Sequence, residues 1–147
     1  MEVIAEKKKG LVGLYLFGFA LGVFIFIAAI LSEEPLLLIP GIFVLVLTAI
    51  ILIRVLITPN QIILLDKENN KIYLPKNKYN EINLKDVEFV AYKKARAKHH
   101  EYKWGDVIIH VNHKKVKCSF VKDCEQVAKY IYTLVEKTNK EDLYGEF

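Results

Sequence analysis

Apolar residues follow two different patterns along this chain. From Leu11 to Leu31 and from Leu36 to Ile57 they are nearly continuous, and from Gln61 onward they alternate with polar residues. Leu11–Leu31 consists of Leu, Ile, Val, Phe, Ala and Gly with a single Tyr and no charge. As a helix rising about 1.5 Å per residue it spans roughly 30 Å, the thickness of a bilayer's hydrocarbon core. Leu36–Ile57 is of similar length and carries one charge, Arg54, near its end. A helix apolar on every face over this distance reads as a membrane span rather than a soluble core helix. Only Ser32, Glu33, Glu34 and Pro35 separate the runs, so the two spans are expected to form an antiparallel hairpin.

Thr58-Pro59-Asn60 is the linker to the alternating part, and Pro59 disfavours helix at Thr58. Gln61–Asp66 reads as a strand, Lys67-Glu68-Asn69-Asn70 as a turn, and Lys71–Pro75 as the returning strand. Lys76–Glu81 reads as polar loop and Ile82–Leu84 as a short strand. Val87–Lys94 alternates, with Val87, Phe89 and Ala91 on one face. Asp106–Asn112 sends Val107, Ile109 and Val111 to one side. After a turn at Asn112-His113-Lys114, Lys115–Val121 sends Val116, Cys118 and Phe120 inward. A closing helix starts near Asp123, with Gln126 three residues on as a weak capping box. Its stripe of Cys124, Val127, Ile131, Leu134 and Val135 has the helical period. These elements predict an α+β chain: a basic lead (1–10), a helical hairpin (11–57), a sheet domain with one helix (58–137) and a polar tail (138–147). Leu143, Tyr144 and Phe147 could dock the tail.

Charge orients the hairpin. Lys7-Lys8-Lys9 and Arg54 flank one side, and the connecting loop has no Lys or Arg. The positive-inside rule then puts both termini in the cytoplasm of a multi-pass protein of the cytoplasmic membrane. The basic lead and apolar run resemble a signal peptide, but the run is long and lacks a small-x-small cleavage site, so a retained anchor is expected. The whole net charge of +4 falls after Ile57, because the first 57 residues hold four basic and four acidic residues.

The order of motifs carries a resemblance. Ile57-Thr58-Pro59-Asn60-Gln61-Ile62-Ile63 follows the spans, then Ile82-Asn83-Leu84-Lys85-Asp86-Val87, then Trp104-Gly105-Asp106-Val107-Ile108-Ile109. Phe120-Val121-Lys122-Asp123-Cys124-Glu125-Gln126-Val127 opens the helix. This order resembles the bacterial membrane-anchored PH-like domain proteins over residues 57–135. The resemblance implies a seven-stranded, strongly bent β-barrel or sandwich capped by the helix. Gln61 departs from the family's usual basic residue, Trp104 from its common Tyr, and Cys124 from its frequent Pro. The family carries no agreed catalytic residues or ligand, so little function comes with it.

The densest charge lies at Lys93-Lys94-Ala95-Arg96-Ala97-Lys98-His99-His100, continuing to Lys103, with Glu101 as the one acid. It is expected in a loop between strands, where it would contact anionic headgroups, stay a solvated loop, or meet a protein partner. Gly18 and Gly22 form a small-xxx-small face with Ala29, for a partner helix or for the second span through Gly41 and Ala49. Arg54 is close enough to the span's end to snorkel as an interface anchor. His110 and His113 are three apart on a strand and turn, which points them to different faces and disfavours a metal site. Cys118 is expected inside, and Cys124 at a helix start, where a thiol pKa can fall. Two cysteines are too few for a disulfide framework, and no base accompanies either one.

The expectation is therefore a chain that is not an enzyme and needs no cofactor, metal or nucleic acid. Three roles fit: a membrane-anchored PH-like interaction and assembly module, with a protein partner or further copies of itself; a sensor of anionic phospholipid through 93–103; or an accessory subunit of a membrane transport or secretion complex.

Overall fold

The structure is a computed structural model and describes residues 1–32, 35–75 and 81–144. Glu33 and Glu34 of the acidic connection, residues 76–80 of the polar loop, the side chains of Leu143 and Tyr144, and Phe147 lie outside the described residues. The fold is α+β, with two long apolar helices, two antiparallel sheets of four and three strands, and a C-terminal helix. It divides into two units: Lys9–Thr58, and Met1–Lys8 together with the chain from Pro59 onward.

In the helical unit, α1 (Leu11–Leu31) and α2 (Pro35–Ile57) are each long and apolar enough to cross a membrane. They meet along a stripe of small residues. A Cβ built on Gly18 would lie 3.4 Å from Thr48 Cγ2, one on Gly22 3.2 Å from Leu45 Cα, and one on Gly41 3.4 Å from Phe26 Cα. Ascending positions on α1 thus meet descending positions on α2, the signature of an antiparallel hairpin. Thr48, the polar side chain in this stripe, donates its hydroxyl to the Val44 carbonyl at 2.7 Å, so it is satisfied within its own helix. Away from the stripe many large apolar side chains are bare: Phe17 is 69% exposed, Phe24 70% and Phe43 67%.

The sheet unit begins before the helices. Glu2–Glu6 forms β1, which pairs antiparallel with β2 (Gln61–Asp66), Glu2 opposite Leu65 and Glu6 opposite Gln61. Locally this stretch reads only as part of a basic lead. The reason for the difference is that β1's partner lies more than fifty residues away along the chain, beyond both helices, where no local pattern reports it. β3 (Lys71–Tyr73) and β4 (Glu81–Asn83) extend the sheet in the order β1-β2-β3-β4. β5 (Val87–Ala97), β6 (His100–Val111) and β7 (Lys114–Val121) form the second sheet as a meander. Beyond β1 the chain joins this sheet too: Lys8 N–H donates to the Phe120 carbonyl at 2.9 Å, and Lys122 N–H to the Glu6 carbonyl at 2.9 Å. The N-terminal segment is therefore a seam between the sheets. The sheets do not close into a barrel, contrary to one form of the expected fold.

The core is the shared inner face. Ile63 and Leu65 of β2, Ile72 of β3, Leu84 of the 3-10 turn Leu84–Asp86, and Val107 and Ile109 of β6 are buried. α3 (Cys124–Tyr144) covers them with Cys124, Val127, Ala128, Ile131 and Val135, packing against β5 and β6. The helix continues past Lys137, where a polar tail is expected, and buries Thr138, whose hydroxyl donates to the Leu134 carbonyl at 3.0 Å. Asp123 precedes it at φ 50°, and its carbonyl accepts the Gln126 and Val127 N–H groups.

Two bulges change the predicted faces. The β5–β6 register shifts between Val87 and Phe89, and one extra residue reverses the alternation beyond it. Val87 stays buried, but Phe89 is exposed and Val90 packs against the core instead. The β6–β7 register also shifts, between Gly105 and Val107, where Phe120 adopts φ 64°. Val121 then fills the inward place predicted for Phe120.

Candidate functional site

The basic run does not lie in a loop. Lys93, Lys94 and Arg96 are on β5, Lys103 is on β6, and only Lys98-His99 form the turn between Ala97 and His100. A two-residue connection favours left-handed backbone, and Lys98 adopts it at φ 49°. The run is thus the outer half of a long antiparallel hairpin.

The hairpin sorts its cations. Lys94 Nζ lies 2.6 Å from Glu125 Oε2 on α3 and 5.9 Å from the Tyr92 ring centroid. Glu125 also binds Lys129 at 2.8 Å. The two ammonium groups, Lys129 first, hold the Glu125 carboxyl down at about 2, and the same bond raises Lys94. Lys94 therefore joins sheet to helix. Arg96 pairs with Glu101 across the strands at 2.6 Å, in the open. Lys93, Lys98 and Lys103 are exposed and, among the described residues, form no ion pair.

A bulge shapes this half of the hairpin. Lys94 faces Gly105 and Arg96 faces Glu101, so Tyr102–Trp104 oppose the single residue Ala95. Gly105 makes the crossing possible: a Cβ there would collide with the Lys93 carbonyl and lie 2.9 Å from Lys94 Cα. A hollow of about 280 Å³ opens at the bulge, between 93–96 and 104–106.

Beside it runs a row of rings that charge counting missed. His100 meets Tyr102 edge-on at 4.9 Å, Tyr102 meets Trp104 at 6.0 Å, and Trp104 stacks on Phe120 at 6.5 Å. His100, Tyr102 and Trp104 are two apart, the spacing that places strand side chains on one face. That spacing is readable in the sequence, but alternation of apolar residues starts the strand only at Asp106. Asp106, two further on, is held by Lys117 at 2.9 Å.

The remaining candidates are apart from this surface. His110 stacks on Phe89 with centroids 3.7 Å apart, and His113 sits in the β6–β7 turn beside Glu88. No group of three or more potential metal ligands occurs among the described residues. Cys118 and Cys124 are both buried free thiols. Burial, and secondarily the Asp106 charge, pushes Cys118 up to about 12, and burial raises Cys124 despite its place at a helix start. Both shifts favour the protonated thiol over the nucleophilic thiolate. Gly18 and Gly22 lie against α2, and Arg54 is exposed in the last turn of α2, its carbonyl accepting from the Thr58 hydroxyl at 2.8 Å.

None of the known protein families, curated proteins or solved structures compared with this chain matches it.

Proposed function

We propose that this chain is a non-enzymatic module anchored in the bacterial cytoplasmic membrane by two spans, holding a PH-like domain in the cytoplasm for assembly with a protein partner or with further copies of itself. The observation that carries the reading is the pairing of β1 with β2. The first strand ends four residues before α1 and the second starts three residues after α2, so one folded unit holds both ends of the apolar hairpin. A hairpin crossing a bilayer twice returns to the side it left, as this pairing requires. Lys7–Lys9 and Arg54 favour the cytoplasmic side.

Bare phenylalanines along α1 and α2 support the membrane setting, because lipid is the solvent in which they cost nothing. The PH-like reading draws on the motif order and on two antiparallel sheets of four and three strands with one C-terminal helix. A binding role, rather than catalysis, is supported by thiols whose protonated form is favoured and by a pair of histidines on separate elements.

Crosslinking in native membranes followed by purification of the full chain tests the assembly role. A reproducible partner, or a ladder of the chain itself, is the expected result. Recovery of abundant membrane proteins in proportion to their abundance contradicts it.

A further inference from the structure

We infer that the ring row Tyr102, Trp104 and Phe120, with Lys93 beside it and Lys98 at the hairpin tip, docks on the interface of an anionic phospholipid bilayer. The inference rests on the membrane-anchored reading and names a second, peripheral contact with the same bilayer.

Three observations carry it. The first is chemical. Trp and Tyr combine an apolar ring with a polar tip and settle at headgroup depth, and lysines bury their stems while reaching phosphate. Tyr102 is 38% exposed, and Lys93 and Lys98 form no ion pair among the described residues. The second is selective. Lys94 and Arg96 are committed to Glu125 and Glu101, so the available charge is the part of the run flanking the rings. The hollow beside Trp104, bordered by Lys93, gives a headgroup a place to sit.

The third is positional. The row begins at Phe120, whose carbonyl accepts from Lys8 N–H, and Lys7 N–H donates to the Asn60 carbonyl at 2.8 Å. Lys8 and Asn60 are where the chain leaves the sheet unit for Leu11 and returns from Ile57. The rings therefore start at the end of the unit tied to the spans and continue along β6 toward the hairpin tip. Charge and tether together favour a lipid surface over an acidic protein or a nucleic acid, which would use the same lysines without needing that position.

Trp104 is the chain's one tryptophan, so the full protein reports on its own docking. It would be placed in nanodiscs of phosphatidylcholine with or without phosphatidylglycerol, with a quencher carried either near the lipid headgroup or near the chain end. The expected result is stronger quenching by the shallow label, with protection from aqueous acrylamide, in the anionic discs. Replacing Lys93 and Lys98 by Ala should lower that quenching at least about twofold, toward the neutral-disc level. Lys137→Ala on α3 should not change it. Equal acrylamide access in both discs without lipid quenching overturns the inference. So does acrylamide protection without lipid quenching, which assigns the row to a protein contact. Crosslinked partners are read separately, so this docking and the assembly role can fail independently.

Discussion

Gly105 is where one side chain's absence decides the hairpin. β5 and β6 cross so closely there that a methyl group would meet the Lys93 carbonyl. Gly105→Ala should destabilise the sheet unit by about 2–4 kcal/mol, measured as a fall in thermal midpoint in detergent, with the Trp104 emission shifted because the bulge moves. A second residue sets the alkaline limit. Cys118 is raised from 9.0 to about 12 because the folded core disfavours its thiolate. The unfolded chain ionises first, so this contribution is complete below pH 9 and is lost as pH rises toward 12. Cys118→Val should flatten the decline in midpoint over that range. An unchanged slope would mean that other groups govern it.

At the scale of elements, composition is legible where one solvent acts on a whole segment. α1 and α2 stand where the apolar runs predict them, because helices apolar on every face have no polar side to disguise their ends. The α3 stripe is equally plain, with Cys124, Ile131 and Val135 buried as spaced. Strand faces are harder, because alternation survives only while the register does. The shift after Val87 turned Phe89 outward, and the left-handed Phe120 moved Val121 into its place. β1 is invisible locally, being five residues whose pairing is decided by β2 across both helices. Charge alone points to the cationic candidates. Their division into paired Lys94 and Arg96 and unpaired Lys93, Lys98 and Lys103 needed the positions of Glu125 and Glu101.

The two helices offer a matched test of close packing. Gly22 is pressed against Leu45, whereas a Cβ on Gly13 meets nothing within 4 Å. Gly22→Leu should weaken the hairpin by about 1–2 kcal/mol, read as a lower midpoint in detergent, and Gly13→Leu should be neutral. Equal losses would remove the stripe as the reason the helices associate.

For the whole molecule, the fold joins what the chain order separates. A strand before the apolar hairpin and a strand after it are neighbours in one sheet, and the same segment is bonded to β7. The sheet unit therefore cannot finish folding until both ends of the hairpin have reached it. A helical hairpin inserted between two paired strands is also joined to the sheet unit by two connections rather than one.

The central claim is that both ends of the hairpin stand on one face of a membrane. The direct measurement is labelling of single cysteines by a membrane-impermeant maleimide in intact and in permeabilised cells. Cys118 and Cys124 are buried, so they leave the background low. Glu2→Cys on β1 and Glu68→Cys after β2 should label together, and only after permeabilisation, while Ser32→Cys at the end of α1 should label in intact cells. Labelling of Glu2→Cys and Glu68→Cys from opposite sides, or of all three from the same side, would contradict the account.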